Sequence, residues 1–496
     1  MHPTPEDDPS LRVPSLLHPL RPHRFGPLAV ALSLLAGCAA TDGGAGRPQA
    51  PAMPPAWTAP VPQGATAPEL RAWWKAFRDP TLDAMVEEAL EKNLDLAAAA
   101  RRLREARLQA GRAAVQFRPS FSAGARTLQD ISATDTYFHA SIDMAWELGL
   151  FGAGESIRAA ADADADSAQA DSQGVRVAVV ADVVRNYLDL QAARRQLHLL
   201  DRMGALDGRA ATLADVRQRT RIGSADDSTQ ARVRTAQTRA ARAAPEEALA
   251  RAAQALSVLL GRVAPDPAWT APEAAEAAAT LPPFAFASLP ADLLRTRPDV
   301  HAAEAGVRKA AAGLGLARSE LYPRIAIMGS LLYSYNITRN RRTTSDNAPA
   351  IGPVIDIPLF DWGRRRMQVD AQTQALEGAA LGYERAVRTA VAEAEGALAA
   401  LSAQQARADA LGTAVAAWGE RTEVARTRVR LGLASEYDAL ATQRALLQAE
   451  SEQATARDAR ALAFVALYKA LGGAPLPAEA LDTAAAPASG QARGAP

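Results

Sequence analysis

The chain has 496 residues, with 55 Lys and Arg against 55 Asp and Glu, and a single cysteine. Zero formal charge leaves no electrostatic footprint for nucleic acid, and one cysteine excludes a disulfide within the chain. Past the leader, no apolar run reaches the ~18–20 residues of a membrane-spanning helix. Alanine dominates long, charge-laced stretches that read as long packed helices.

The first element is the leader. Arg21 and Arg24 precede an apolar stretch at 27–35, which ends in Leu35-Ala36-Gly37-Cys38. A basic region, a short apolar region and small residues at the cut make residues 1–37 a secretory signal peptide. The ending resembles the lipobox of bacterial lipoproteins, which implies that Cys38 is acylated and becomes the mature N-terminus. The alternative, a buried free thiol, fits neither its position nor its flanks. Ala39 in place of Asp favours the outer membrane. Residues 38–68 are then an extended, lipid-anchored segment.

Beyond it the chain is written twice. Asn93-Leu94-Asp95-Leu96 returns in outline as Arg297-Pro298-Asp299-Val300, and Phe117-Arg118-Pro119 as Leu321-Tyr322-Pro323. Leu150-Phe151 returns as Leu359-Phe360, Gly223-Ser224 with Asp227 as Ala434-Ser435 with Asp438, and Leu260-Gly261 as Leu471-Gly472. The offset drifts one way, from 204 through 209 to 211, and the order never changes. The repeats are expected at 69–261 and 291–473, each in the order helix, two strands, long helical hairpin. A Pro- and Ala-rich joint at 262–290 separates them, and a low-complexity tail at 474–496 is expected to be disordered.

The strands follow the repeated proline. After Pro323, Ile325, Ile327, Gly329, Leu331, Tyr333 and Tyr335 alternate with Arg324, Ala326, Met328, Ser330, Leu332 and Ser334. The partner strand sets Ile351, Pro353, Ile355 and Ile357 against Gly352, Val354 and Asp356. In the first half Phe138, Ala140, Ile142, Met144 and Trp146 oppose His139, Ser141, Asp143 and Glu147; the remaining strand, near 121–127, is weaker. Turns are expected at 129–136 and 338–347. A half-buried soluble hairpin gives the same alternation. Strands of about 9–13 residues with one polar face also fit a tilted membrane crossing. Lipid tolerates no open sheet edge, so four strands per chain require several chains: two give eight strands, three give twelve.

Between 151 and 218 there is no proline. A continuous helix there extends roughly 100 Å at 1.5 Å per residue. Val177, Val180, Val184 and Tyr187 follow helical spacing, and Leu433, Leu440, Leu447, Ala454, Ala461 and Tyr468 recur every seven residues. These are seams for coiled-coil packing, in a rod or a wall rather than a globule.

With these features the chain resembles the trimeric outer-membrane factors of tripartite efflux pumps, the TolC/OprM/NodT group. The most specific piece is Trp73-Trp74-Lys75-Ala76-Phe77-Arg78-Asp79-Pro80-Thr81-Leu82-Asp83, continuing to Asn93-Leu94-Asp95-Leu96; Arg428 to Ser435 also matches. The resemblance implies a mainly α fold with a small β-barrel. Three chains would pool twelve strands in the outer membrane and twelve helices in a periplasmic tunnel. Its implied partners are two further copies, a periplasmic adaptor, an inner-membrane RND-type pump and outer-membrane lipid, with no cofactor. The hairpin turns would form the closing tip and the adaptor contact. Arg217, Ser224, Asp226 and Asp227 lie in the first turn, and Arg428, Gly432, Ser435, Glu436, Tyr437 and Asp438 in the second. Ser224 and Ser435 stand where helix N-caps belong, with Asp227 and Asp438 three residues on, so plain capping is the simpler role. Tyr437 is a candidate plug. Two departures stand out: Ala441 replaces an acid usual in relatives, and Arg221 replaces the first tip glycine. In the barrel, Asp143, Glu147, Arg324 and Asp356 would face the lumen.

No catalytic constellation is present. The six histidines are scattered, and no nucleophile elbow, P-loop or HExxH motif occurs. Asp162, Asp164 and Asp166 lack the glycine and distal Glu of a calcium loop and read as a solvated helix face. The expected function is a passive efflux conduit, not an enzyme. A protein-secretion channel on the same fold and a non-channel coiled-coil scaffold lipoprotein are the alternatives.

Overall fold

The computed structural model describes residues 57–60, 69–129, 135–271, 297–342 and 349–476. Cys38 and the leader lie outside the described residues, as do most of the 38–68 segment, 272–296 of the joint and 477–496 of the tail.

Helix α1 (Pro80–Lys92) opens on Asp79, whose carboxylate accepts from the Thr81 and Leu82 N–H groups; Pro80, lacking an N–H, suits the first turn. Asn93 ends α1 and caps α2 (Leu94–Val115). Strands β1 (Ser120–Gln129) and β2 (Thr136–Glu147) follow, then α3 (Ala153–Arg219), α4 (Ala225–Ala241) and α5 (Ala243–Leu259). The second half has α6 (Pro298–Ser319), β3 (Arg324–Asn336), a two-residue β4 (Arg341–Arg342), β5 (Pro349–Asp356), α7 (Arg364–Arg430) and α8 (Glu436–Ala470). Both α3 and α7 have 67 residues. Among the described residues no helix is long and apolar enough to cross a membrane.

The left-handed turns recur at matched places. Left-handed φ values occur at Phe151 and Trp362, at Gly152 and Gly363, at Arg221 and Gly432, and at Gly261 and Gly472, always 211 residues apart. The halves differ in the helix returning from the hairpin. One continuous helix was expected in each. In the second half α8 is continuous, whereas in the first the helix breaks at Arg242, between α4 and α5. Pro245 is the reason: it has no N–H for the Ala241 carbonyl, and its ring crowds that turn.

The strands form one antiparallel sheet in the order β1–β2–β3–β5, with β4 beside the end of β3. The middle pairing, β2 to β3, joins the two halves. Its register sets Ile142 opposite Leu331 and Asp143 opposite Ser330, so the alternation of both strands falls on the same two faces. Among the described residues the outer edges of β1 and β5 have no partner strand.

The helices form a row. Helix α3 packs on α4 and α5 on one side and on α8 on the other, and α8 packs on α7. The heptad residues Leu440, Leu447, Ala461 and Tyr468 are buried there, as are Val177, Val180, Val184 and Tyr187 of α3. Leu433, expected in the same seam, is exposed, because it sits in the turn before α8.

The Trp73-Trp74 motif is core. Trp73 stacks on Tyr468 at 5.6 Å and donates its indole N–H to the Gly473 carbonyl at 3.0 Å. It pins the start of the first half to the end of the second, and burying a large apolar side chain contributes about 1.5–3 kcal/mol. Gly473 is required there, because a Cβ would sit 2.8 Å from the Leu70 carbonyl oxygen. Ala474 is buried and the Pro475 carbonyl accepts from Gln173, so the tail begins packed. The joint also begins docked: Arg262 pairs with Glu88 at 2.6 Å, and its guanidinium lies over the ring of buried Trp269. Near the N-terminus, the Thr58 and Ala59 N–H groups donate to Glu395 of α7 at 2.7 and 2.8 Å.

Candidate functional site

Both long helices end in the same turn. At the end of α3, Ile222 N–H donates to Arg217 O at 2.9 Å and Arg221 N–H to Gln218 O at 3.1 Å; at the end of α7, Leu433 N–H donates to Arg428 O at 2.8 Å and Gly432 N–H to Val429 O at 3.0 Å. This 6→1 and 5→2 pattern satisfies carbonyls that the helix end would orphan, and it needs one left-handed residue. Gly432 supplies it at φ 70°. In the first turn Arg221 does, at φ 61°, at a cost of roughly 1–2 kcal/mol for a residue with a Cβ. Arg221 thus replaces the glycine in side chain, not in backbone conformation.

The following helices start on their serines. Ser224 and Asp227 form a reciprocal capping box: Asp227 N–H donates to Ser224 Oγ at 3.1 Å and Ser224 N–H to Asp227 Oδ2 at 3.0 Å. In the second turn Asp438 N–H donates to Ser435 Oγ at 3.2 Å, while the hydroxyl itself donates to Asp438 Oδ2 at 2.6 Å. Such caps contribute about 1 kcal/mol each, and the carboxylates suit the positive helix end.

The two tips touch within one chain. Arg209 of α3 grips Glu436 through two hydrogen bonds, Nε to Oε1 at 2.9 Å and Nη2 to Oε2 at 3.0 Å. That hydrogen bonding holds the Glu436 carboxyl below its ordinary range. Arg217 Cζ lies 5.0 Å from the Tyr437 ring centroid, and its Nη1 donates to Ser435 Oγ at 3.5 Å. Tyr437, a candidate plug from the sequence, is therefore engaged by Arg217 of its own chain. Arg428, at the position matching Arg217, is exposed, and among the described residues its side chain has no hydrogen-bond partner. Asp226 is exposed and accepts from Gln230 at 3.0 Å.

Sequence reasoning missed Arg209 and the ladder above it. Between α3 and α8, Arg202 pairs with Glu450 at 3.1 Å, Asp182 with Lys469 at 3.3 Å, and Arg195 with Asp458. Asp207, fully buried, accepts from Arg444 Nε at 2.8 Å and from Thr238 Oγ1 at 2.6 Å. The signal was there, since opposite charges recur at a near-constant antiparallel register, but nothing in a single chain tells which helix faces which. Asp164 and Asp166 proved to be contacts as well: they meet Lys309 at 2.7 Å and Arg308 at 2.5 Å on α6, rather than water alone.

On the polar face of the sheet, Asp143 accepts from Ser330 at 2.6 Å and from Ser141 at 2.8 Å. Arg324 donates to Glu147 at 2.9 Å and stands directly opposite Asp356. Register brings the four expected residues onto one face, and two of these contacts cross from one half to the other. The other face carries exposed Phe121, Ile142, Leu331, Ile351 and Ile355. Among the described residues no cluster of His, Cys, Asp and Glu fits a metal ion.

A sheet with one apolar and one charged face, on paired 67-residue helices, defines an efflux-channel architecture, and the chain belongs to the outer membrane efflux protein family, whose profile matches residues 85–262 and 289–473. The family is one of outer-membrane channels that extend into the periplasm, not of enzymes. The chain is 30% identical over 475 residues to the pyoverdine export outer membrane protein OpmQ of Pseudomonas putida, covering 90% of this chain and 96% of that one. It is 29% identical over 412 residues to the toluene efflux pump outer membrane protein TtgI of the same species, covering 80% and 86%. The outer-membrane channel OprN superposes with a TM-score of 0.72 at 28% identity, covering 87% of this chain and all of that one.

Proposed function

We propose that three copies of this chain form one sealed, passive conduit that carries small molecules across the periplasm and outer membrane, docked to a periplasmic adaptor and an RND-type pump. The observation that carries this reading is a pair of open flanks. Among the described residues the sheet ends in unpartnered β1 and β5, and the helix row ends in α4/α5 and α7. Joining β5 of one copy to β1 of the next closes the sheet, as lipid demands, and three is the number that the family resemblance implies. OpmQ and TtgI, by name, serve pyoverdine export and toluene efflux, which favours small molecules over secreted proteins. Asp143, Glu147, Arg324 and Asp356 then line the lumen, and the two 211-residue-offset halves act as structural repeats.

The tips form the gate and the adaptor contact. Arg217 reaches Ser435 and Tyr437 within a copy. The matched geometry directs Arg428 of each copy to Ser224 and Asp226 of the next. Cys38 carries the lipid; mass spectrometry of the mature N-terminus should find an acylated cysteine with no residue before it. The experiment for the whole reading is native mass spectrometry of the purified protein followed by single-channel recording. Three chains and a low-conducting pore that opens in Asp227→Ala/Asp438→Ala are expected. A monomer, or a trimer without conductance, overturns it.

A further inference from the structure

The apolar face of the sheet ends in a single charge. From Ile325 to Tyr335, one face of β3 and its register partners on β1, β2 and β5 carry no charged side chain. The ten steps from Ile325 to Tyr335 cover roughly 33 Å of strand at about 3.3 Å each. A strand tilt of about 40° brings that to the ~25 Å of an outer-membrane apolar band. Aromatic rings gather at the end away from the helices. Phe138 stands opposite Tyr335, and Tyr333 lies two residues down the same face. That is the level at which barrels set their aromatic girdle and lipid sets its headgroups.

Strand β4 adds the first charge on this face. Arg342 stands opposite Tyr335, and its guanidinium Cζ lies 5.2 Å from the Tyr333 ring centroid. Arg341, one residue earlier, stands opposite Asn336 on the polar face. Other arginines of the sheet and its turn are answered within the chain. Arg324 meets Glu147 at 2.9 Å, and Arg339 meets buried Asp135 at 2.9 Å. Arg342 is exposed, and among the described residues no carboxylate pairs with it. A guanidinium held on a ring keeps its N–H edge free, and that fork matches two oxygens of a phosphate. Helices α3 and α7 start from the opposite end of the sheet, on the periplasmic side, so Arg342 stands at the outer leaflet. The anions at that depth on the lipid side are headgroup phosphates.

We propose that Arg342, carried on Tyr333, is a binding site for the phosphorylated headgroup of an outer-leaflet lipid, one site per copy. The proposal rests on the reading of the sheet as part of a membrane barrel. The aromatic ring orients the cation, the apolar face below it receives the acyl chains, and the guanidinium fork grips the phosphate. The site fixes the depth at which this edge of the barrel sits in the outer leaflet.

Native mass spectrometry of the full-length, delipidated protein, titrated with bis-phosphorylated lipid A, tests the site. Bound lipid should be retained by the natural protein. Arg342→Gln should weaken that binding about tenfold or more, as loss of a charge-assisted hydrogen bond does. Tyr333→Leu keeps an apolar side chain and removes the cation's support, and should weaken it about threefold. Arg341→Gln, the same loss of charge on the other face, should leave it unchanged. Lipid A stripped of both phosphates should bind the natural protein no better than intact lipid A binds Arg342→Gln. Equal weakening by Arg341→Gln and Arg342→Gln would overturn the site in favour of diffuse surface charge. Inorganic phosphate stabilising the protein as much as the lipid does would assign the site to the free anion and overturn the lipid. An Arg342→Gln loss of thermal stability that is the same with and without lipid would overturn it in favour of a partner within the protein. Flotation with lipid vesicles checks the reading beneath. A protein that does not float removes the barrel, whereas one that floats and ignores the headgroup phosphates removes the site alone.

Discussion

The two halves share their turns at matched places and differ in chemistry. Each runs a 67-residue helix to the same turn and back from the same serine cap. Yet the first turn takes its left-handed step on Arg221 and the second on Gly432. Arg217 is engaged by the facing tip, while the matched Arg428 is exposed. Helix α8 is unbroken, and its counterpart is split above Pro245. The lesson is that repetition fixes where elements go, and divergence decides what each copy of an element does. Within the chain, the contact between α3 and α8 is stapled by side-chain charge.

The sharpest break of this picture lies in the sheet, where β2 and β3 unite the halves. Leu331→Arg, on the exposed apolar face, should destabilise the assembled protein by about 2–4 kcal/mol near mid-bilayer. Ser330→Arg, one residue away on the polar face, should have a mild effect. Equal heat-stability losses in the two variants would remove the membrane assignment of the faces.

The tip turns come next. A Cβ at Gly432 meets no neighbouring atom, so Gly432→Ala isolates the backbone cost, expected at about 1 kcal/mol. Arg221→Gly, the reverse exchange at the matched place, should stabilise by about 0.5–1 kcal/mol, less the extra freedom glycine gains when unfolded. Opposite signs in thermal melts sharpen the comparison, and equal signs break it. The caps follow, since Ser224→Ala and Ser435→Ala should each cost about 1 kcal/mol. Ser224→Ala dismantles a reciprocal box. Ser435→Ala also removes the acceptor of Arg217 and so should raise single-channel conductance more.

The smallest effect is the loss of one ion pair. Glu450→Gln removes the partner of Arg202 between α3 and α8. A half-exposed pair is worth about 0.2–1 kcal/mol. The loss of stability should show in thermal melts at low salt and shrink at high salt.

The sequence by itself determined the elements, the faces of the sheet and the family. Each rests on local periodicity: alternation for strands, heptads and proline-free runs for helices, and Ser-x-x-Asp for caps. Pro245 was equally local, and it splits a helix that the repeat alone would have left whole. What only the tertiary structure decided is partnership. That Trp73 serves as a core pin, stacked on Tyr468 and bonded to the Gly473 carbonyl 400 positions away, depends on the two ends of the chain meeting. That Tyr437 lies under Arg217, that Asp207 is buried against Arg444, and that Asp143 meets Ser330 depends on which helix and which strand are neighbours. A long helix offers several faces of similar composition, and its sequence does not say which neighbour each face meets. That choice is made when the two halves pack, because packing and charge pairing are satisfied together in only one register.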